Sequence, residues 1–207
     1  MEYLDYYDEK QNYLGRETRK NIHENALWHK TVHCWLYDEE GNVYFQIRKD
    51  ENKFYTTASG HVVAGEDVKE AFGREIKEEI GLDLNYDNAN LVDVVKFKMD
   101  KVKADGSIFK DRAFANVFVY EFDDNLSGLN FDVNEVSGLV KVNATDALKL
   151  MENEKGTIDA EIITKENNEV VTKQESVDFN DFLINKGETG IGKYGQVLNK
   201  VIELTKE

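Results

Sequence analysis

The strongest helix pattern in the chain lies within GHVVAGEDVKEAFGREIKEEIGL, Gly60 to Leu82, and stretches of strand flank it. Phe72, Ile76 and Ile80 recur every four residues, and Val68 extends the same apolar row. Glu66 and Asp67 sit where the helix dipole favours negative charge, and Gly81 stands where a left-handed residue ends a helix. The spacing predicts a helix over 67–80.

Around it, TVHCWLY and VYFQIR read as strands joined by the turn DEEGN, and FYTTASGHVV as a strand interrupted at Gly60. LVDVVKFKM and AFANVFVYEF read as strands joined through KADGS, with the loop DDNLSGLN after them. SGLVKV predicts another strand. NATDALKLMENE predicts a helix capped by Asn143 or Thr145. GTIDAEIIT and EVVTKQ predict a hairpin about KENNE, and DFNDFLI and YGQVLNKVIELTKE predict short helices. Strands, one helix, strands and a mixed tail imply α/β (α+β) architecture with a mixed sheet, not a doubly wound parallel fold. Residues 1–26 are polar and without a clear period, 27–143 form the expected core domain, and 144–207 an apolar-containing extension. That extension is expected to pack on the core or on a partner subunit, which leaves a homodimer open.

The last turns of the helix pose a charge problem. Glu75, Glu78 and Glu79 stand at i, i+3 and i+4, where like charges repel by about 0.2–0.5 kcal/mol per pair. They also lie toward the end that the dipole makes unfavourable for anions. At 100° per residue Glu79 falls within the apolar arc and Glu75 on its margin. Two readings fit the helix alone. The glutamates are a solvated face with Arg74 and Lys77 as partners, or they gather about a hard divalent cation, which prefers carboxylate oxygens.

The spacing back to Gly60 adds to this. Gly60, five residues, Glu66, seven residues, Arg74-Glu75-Ile76, one residue, Glu78-Glu79, one residue, Gly81-Leu82 resembles the full signature of the Nudix hydrolases. The strand pattern from about Thr31 to Val142 is similar to that family's α/β/α sandwich. The resemblance implies that Glu75, Glu78 and Glu79, with the Gly60 carbonyl, hold Mg²⁺ or Mn²⁺, and that Glu75 is a candidate base. It implies that Arg74 and Glu66 orient the catalytic carboxylate and brace the loop. The chemistry is consistent with these residue types, since cleaving a diphosphate builds charge on phosphoryl oxygens. Arg48 is a candidate contact for a substrate phosphate, or a surface arginine. Phe54 and Tyr55 would stack on a base or pack in the core. Gly65 would permit a tight turn into the helix or serve as an ordinary loop glycine. A further acid often completes such sites, and Asp111, Glu121 and Glu135 are candidates.

WHKTVHCWLYDEEGNVYFQIR with TTASGHVVAGE is similar to the branch of this family that contains isopentenyl-diphosphate isomerases. His29 and His61 match two histidine metal ligands of those enzymes, and His23 lies near a third but shifted. His61, beside Gly60, is also a candidate substrate contact. The isomerases use a cysteine where this chain has Ser59 and a glutamate near the place of Ala113. The resemblance therefore implies hydrolysis of a nucleoside diphosphate linked to another group. An isomerase-like enzyme and a non-catalytic nucleotide-binding module are the alternatives.

The formal net charge of −15 argues against a nucleic-acid polymer as partner, because backbone binding needs a basic face. Cys34 is the single cysteine, which excludes an internal disulfide and a cysteine-rich zinc site, and it reads as a core thiol. No apolar run has the length of a membrane span, and MEYLDYYDEK lacks a signal pattern, so a cytoplasmic protein acting on a small-molecule diphosphate is expected. NKGETGIGKYG lacks the Gly-Lys-Ser/Thr ending of a P-loop and reads as a linker before the final helix or a mobile loop over the site.

Overall fold

β3 (His29–Tyr37) is buried along nearly its whole length because helices cover both faces of the sheet it centres. The structure is a computed structural model that describes residues 1–103, 105–123, 125–167, 169–183 and 192–206. On one edge β3 pairs in parallel with β8 (Ile108–Glu121). On the other edge it pairs antiparallel first with β4 (Asn42–Arg48) and then with β6 (Ala58–His61). β5 (Lys53–Tyr55) pairs with β4, and β7 (Asn90–Val102) flanks β8. β9 (Val136–Asn143), β10 (Thr157–Glu166) and β11 (Glu169–Asp178) extend the sheet beyond β4. Among the described residues the sheet has nine strands in the order β11-β10-β9-β4-β3-β8-β7, with β5 and β6 off that path.

Alternation along the strands divides the core in two. Trp35, Phe45, Val117 and Val140 face α3 (Ala144–Asn153) and α4 (Gly192–Leu204), meeting Leu150, Met151, Val197 and Val201. Cys34, Leu36, Tyr44, Phe118 and Leu139 face α2 (Val68–Ile80), meeting Phe72, Ile76 and Ile80. The result is the mixed-sheet α/β/α sandwich expected from the order of elements. Burial raises the pKa of Cys34 well above its ordinary value, so its thiol stays protonated in the core.

The strand expected over FYTTASGHVV breaks at Thr56 and Thr57, and Gly60 lies inside β6. Thr57 is the reason. Its hydroxyl accepts from the Leu36 N–H at 3.0 Å and donates to the Tyr44 carbonyl, inserting where β3 and β4 would otherwise continue pairing. The sheet therefore parts between β4 and β6, and the chain crosses that opening just before Gly60.

Two other expectations need correction. The N-terminal 26 residues are ordered as β1 (Tyr3–Tyr7), β2 (Tyr13–Thr18) and α1 (Arg19–Glu24). Leu4 is fully buried and bridges to Val63, and Tyr7 bridges to Trp28. Strands this short gain their order from docking, which leaves little period in the sequence. DFNDFLI forms only one 3-10 turn, Phe179–Asp181, closed by the Asp178 capping box. Most of NKGETGIGKYG lies outside the described residues, and α4 begins at Gly192. Among the described residues no helix is long and apolar enough to cross a membrane.

Candidate active site

α2 is fixed at both ends, which is what gives its last turn a defined place. Asp67 accepts from the Glu70 N–H at 2.8 Å, and the Glu70 side chain accepts from the Asp67 N–H at 2.9 Å, a reciprocal cap. Gly81 ends the helix at φ 81°, and a side chain there would strike Asn130. The segment after β8 then takes the terminal carbonyls: Asn130 donates to Ile80 O at 2.8 Å and Asp132 to Glu79 O at 2.9 Å.

Glu75 and Glu79 do not face bulk water. Glu79 is only 7% exposed, and its Oε2 accepts from Gln46 Nε2 and from the Ser59 N–H, both at 3.0 Å. Burial pushes its pKa up to about 8 against those donors, with Glu75 and Glu135 adding to the rise. Burial also raises the pKa of Glu75, and Arg74 opposes it. A Cβ on Gly60 would land on the Glu75 carboxylate, so only glycine leaves room for that carboxylate against β6.

Arg74 ties the cluster to the loop before the helix. Nε and Nη2 donate to the two Glu66 oxygens at 2.8 and 2.9 Å. Nη1 donates to Glu75 at 2.7 Å and Glu78 at 3.1 Å, and Nη2 also reaches the His61 carbonyl at 2.8 Å. The Glu66 hydrogen bonds raise the already high Arg74 pKa further. Glu66 in turn accepts from the Val63 N–H at 3.0 Å. The N-terminal hairpin supports the same loop: Ala64 donates to Tyr3 O at 2.8 Å, and Gly65, at φ 87°, donates to Asp5 at 2.9 Å.

The structure thus gathers Gly60, Glu66, Arg74, Glu75, Glu78 and Glu79 at one place. Arg74 is bonded to Glu66, Glu75 and Glu78, while Glu79 is held by neutral donors alone. Excess carboxylate in a half-buried setting, with hard oxygen donors beside a glycine cradle, fits Mg²⁺ or Mn²⁺. Gln46 and the N-terminal hairpin were not singled out from sequence. The available signal for Gln46 was one amide inside the apolar strand VYFQIR.

The other candidates separate. Glu135 is near enough to raise the Glu79 pKa. Glu121 pairs with Tyr37 at the end of β8, five positions beyond Asn116, which pairs opposite Val32, and about 16 Å of strand separates the two levels. Phe54 is a core residue, packed edge-on to Phe182 at 5.2 Å. Arg48 is held by Asp50 at 3.1 Å and Glu51 at 3.7 Å.

Asp111 and His61 belong to a second cluster. Strand alternation turns His61 to the face opposite Gly60, where His23, His29 and His61 offer ring nitrogens within 4.8 Å of one another. His29 Nδ1 lies 3.2 Å from Leu27 O and His23 Nδ1 lies 3.1 Å from Lys110 O. A carbonyl accepts only, so both Nδ1 atoms carry the proton and both Nε2 atoms offer lone pairs. His29 Nε2 faces Asp111 Oδ1 at 3.4 Å, and both atoms are buried with no hydrogen-bond partner. Two acceptors facing each other suit a cation, so these residues form a second donor set, softer than the glutamates. Burial lowers all three imidazole pKa values, that of His29 to about 4, and raises that of Asp111.

Residues 27–164 match the NUDIX domain. The chain belongs to the Nudix hydrolase family. An uncharacterized Nudix hydrolase of Clostridium acetobutylicum is 31% identical over 160 residues, which cover 73% of this chain and 75% of that protein. An uncharacterized Nudix hydrolase of Nostoc is 29% identical over 98 residues, covering 44% of this chain and 58% of the relative. A solved protein of Deinococcus radiodurans superposes with a TM-score of 0.54 at 20% identity, covering 75% of this chain and 91% of that one, a likeness of fold. In this Nudix hydrolase the two donor sets lie back to back across β6, one on each face.

Proposed function

We propose that this Nudix hydrolase cleaves the pyrophosphate bond of a nucleoside diphosphate linked to another group, with Mg²⁺ or Mn²⁺ as cofactor. The observation that carries this is the convergence of Glu75, Glu78 and Glu79 on the Gly60 cradle. Those carboxylates and the Gly60 carbonyl would hold the cation. Bound there, it would neutralise charge on the phosphoryl oxygens and acidify a water.

The chain's own residues would do the rest. Glu75, desolvated and raised in pKa, takes the proton of the attacking water. Arg74 fixes the Glu75 carboxylate, and Glu66 fixes Arg74 in a two-point contact. Gln46 and the Ser59 N–H hold Glu79 in one orientation. Isomerisation of a double bond would need an acid and a base on its two sides, and Ser59 and Ala113 supply neither. A purely binding module has no use for a full set of buried glutamates. Cytoplasmic location is part of the proposal and is consistent with the single protonated thiol.

The test is a panel of nucleoside-diphosphate derivatives, assayed with Mg²⁺ and with chelator, with the products identified. Release of a nucleoside monophosphate that stops with chelator is expected. Turnover indifferent to chelator, or no turnover with any diphosphate, contradicts the proposal.

A further inference from the structure

A small chamber lies on the α4 face of the sheet, beside the histidine cluster and behind the opening at β6. Thr31 and His33 form part of its wall, and they pair across to His61 and Ser59, the neighbours of Gly60. The chamber thus begins one residue to either side of the glycine cradle, on the opposite face of the same strands.

Its polar groups are unmatched. Thr31, 8% exposed, has a buried Oγ1 with no partner, and so does Asp111 through Oδ1. Lys193, near the start of α4, places Nζ 3.0 Å from His33 Nδ1 and 3.2 Å from Tyr55 OH. The same ammonium stands 4.7 Å from the Tyr55 ring centre and 5.8 Å from that of Tyr194. None of these described partners is a carboxylate. Burial and Lys193 keep His33 neutral, so it accepts from the ammonium and offers no charge to balance it. Arg48, on the other side of Tyr55, differs because Asp50 and Glu51 hold it.

We propose that this chamber is the base subsite of the enzyme and that it takes a single-ring, pyrimidine base; this rests on the nucleoside-diphosphate function proposed above. Lys193 donates to a ring carbonyl, and Asp111 Oδ1 accepts from the ring N–H of uracil or the amino group of cytosine. Ala113 and Ala115 leave a flat floor on β8, and Tyr194 supplies an aromatic wall. A phosphate does not suit the place, because Asp111 and apolar walls surround it. Adenine lacks the carbonyl. Guanine has both groups but two rings, and a cavity of about 60 Å³ is small for it.

The test is calorimetric binding of UMP, CMP, AMP and GMP to the full chain and to Lys193→Met, Lys193→Arg and Ala115→Leu. The monophosphates report on the subsite whether or not hydrolysis occurs. For the wild type, UMP and CMP are expected to bind about 10-fold more tightly than AMP and GMP. Lys193→Met should weaken pyrimidine binding about 10-fold, the loss of one charge-assisted hydrogen bond. Lys193→Arg should restore much of it, Ala115→Leu should abolish the preference, and the melting temperatures should stay close to wild type. Purines binding as tightly as pyrimidines, binding of none of the four, or pyrimidine affinity unchanged in both Lys193→Met and Ala115→Leu would overturn the subsite. If the panel shows chelator-sensitive hydrolysis while this selectivity is absent, the subsite fails and the hydrolase function stands. The reverse pair of results fails the function alone.

Discussion

Gly60 and His61 are adjacent in β6, yet they serve two clusters of opposite character. On the α2 face Gly60 gives way to Glu75, and the glutamates are crowded but held by Arg74, Gln46 and the Ser59 N–H. On the other face His61 joins His23, His29 and Asp111, a neutral set with two buried acceptors left facing each other. One cluster carries surplus charge and hard oxygen donors. The other carries lone pairs and little charge. Helix caps, backbone donors and a glycine cradle fix the first in a single geometry, and that construction marks it as the hydrolytic centre.

The largest effect that could break this contrast is loss of a box carboxylate. Glu78→Gln and Glu79→Gln should each lower turnover by roughly 10²–10⁴-fold, whereas His29→Asn should change it far less. Equal losses on both faces, measured in steady-state assays, would merge the two clusters into one site.

The faces should also tilt stability in opposite directions with pH, in the protein without added cation. His29, with a folded pKa of about 4 against an ordinary 6.5, takes its proton more readily when unfolded. Stability should therefore fall as pH drops from 6.5 to 4, by on the order of 3 kcal/mol. Glu79, with a folded pKa of about 8 against 4.5, keeps its proton in the fold. Its contribution is complete below pH 4.5 and is lost as pH rises toward 8, by a similar order. Urea titrations across pH, compared with His29→Asn and Glu79→Gln, should remove one slope each.

Gly60→Ala sharpens the geometric half of the contrast. The added methyl must displace Glu75, and a shift of about 1 Å costs about 10²-fold in rate with little change in melting temperature. The smallest effect is expected at the far end of α2. Asp67→Ala removes the reciprocal cap and should cost about 1 kcal/mol of stability while leaving the order of substrate preference intact.

Much of the α2 face was legible in the sequence, because its parts are close together along the chain. Phe72, Ile76 and Ile80 declare the helix, Gly81 ends it, and the spacing from Gly60 through Glu66 to Glu79 fits one turn and its preceding loop. The sandwich followed from the order of strands and helices. What stayed hidden depends on contacts distant in sequence. Gln46 reaches Glu79 from another strand, Thr57 opens the sheet through its hydroxyl, and Leu4 docks on Val63. Asp111 and Glu135 carried equal weight as acids until the fold put one with the histidines and the other beside Glu79. His23 sat off the expected spacing, yet the turn after α1 brings it within 3.2 Å of His61.

The most direct test of the account is calorimetric titration of Mg²⁺ into the wild type, Glu75→Gln, Glu79→Gln and His29→Asn at neutral pH. Mg²⁺ prefers oxygen donors, so binding should be lost in both glutamate variants and kept in His29→Asn. Mg²⁺ binding that survives in the glutamate variants and disappears with His29 would contradict the account.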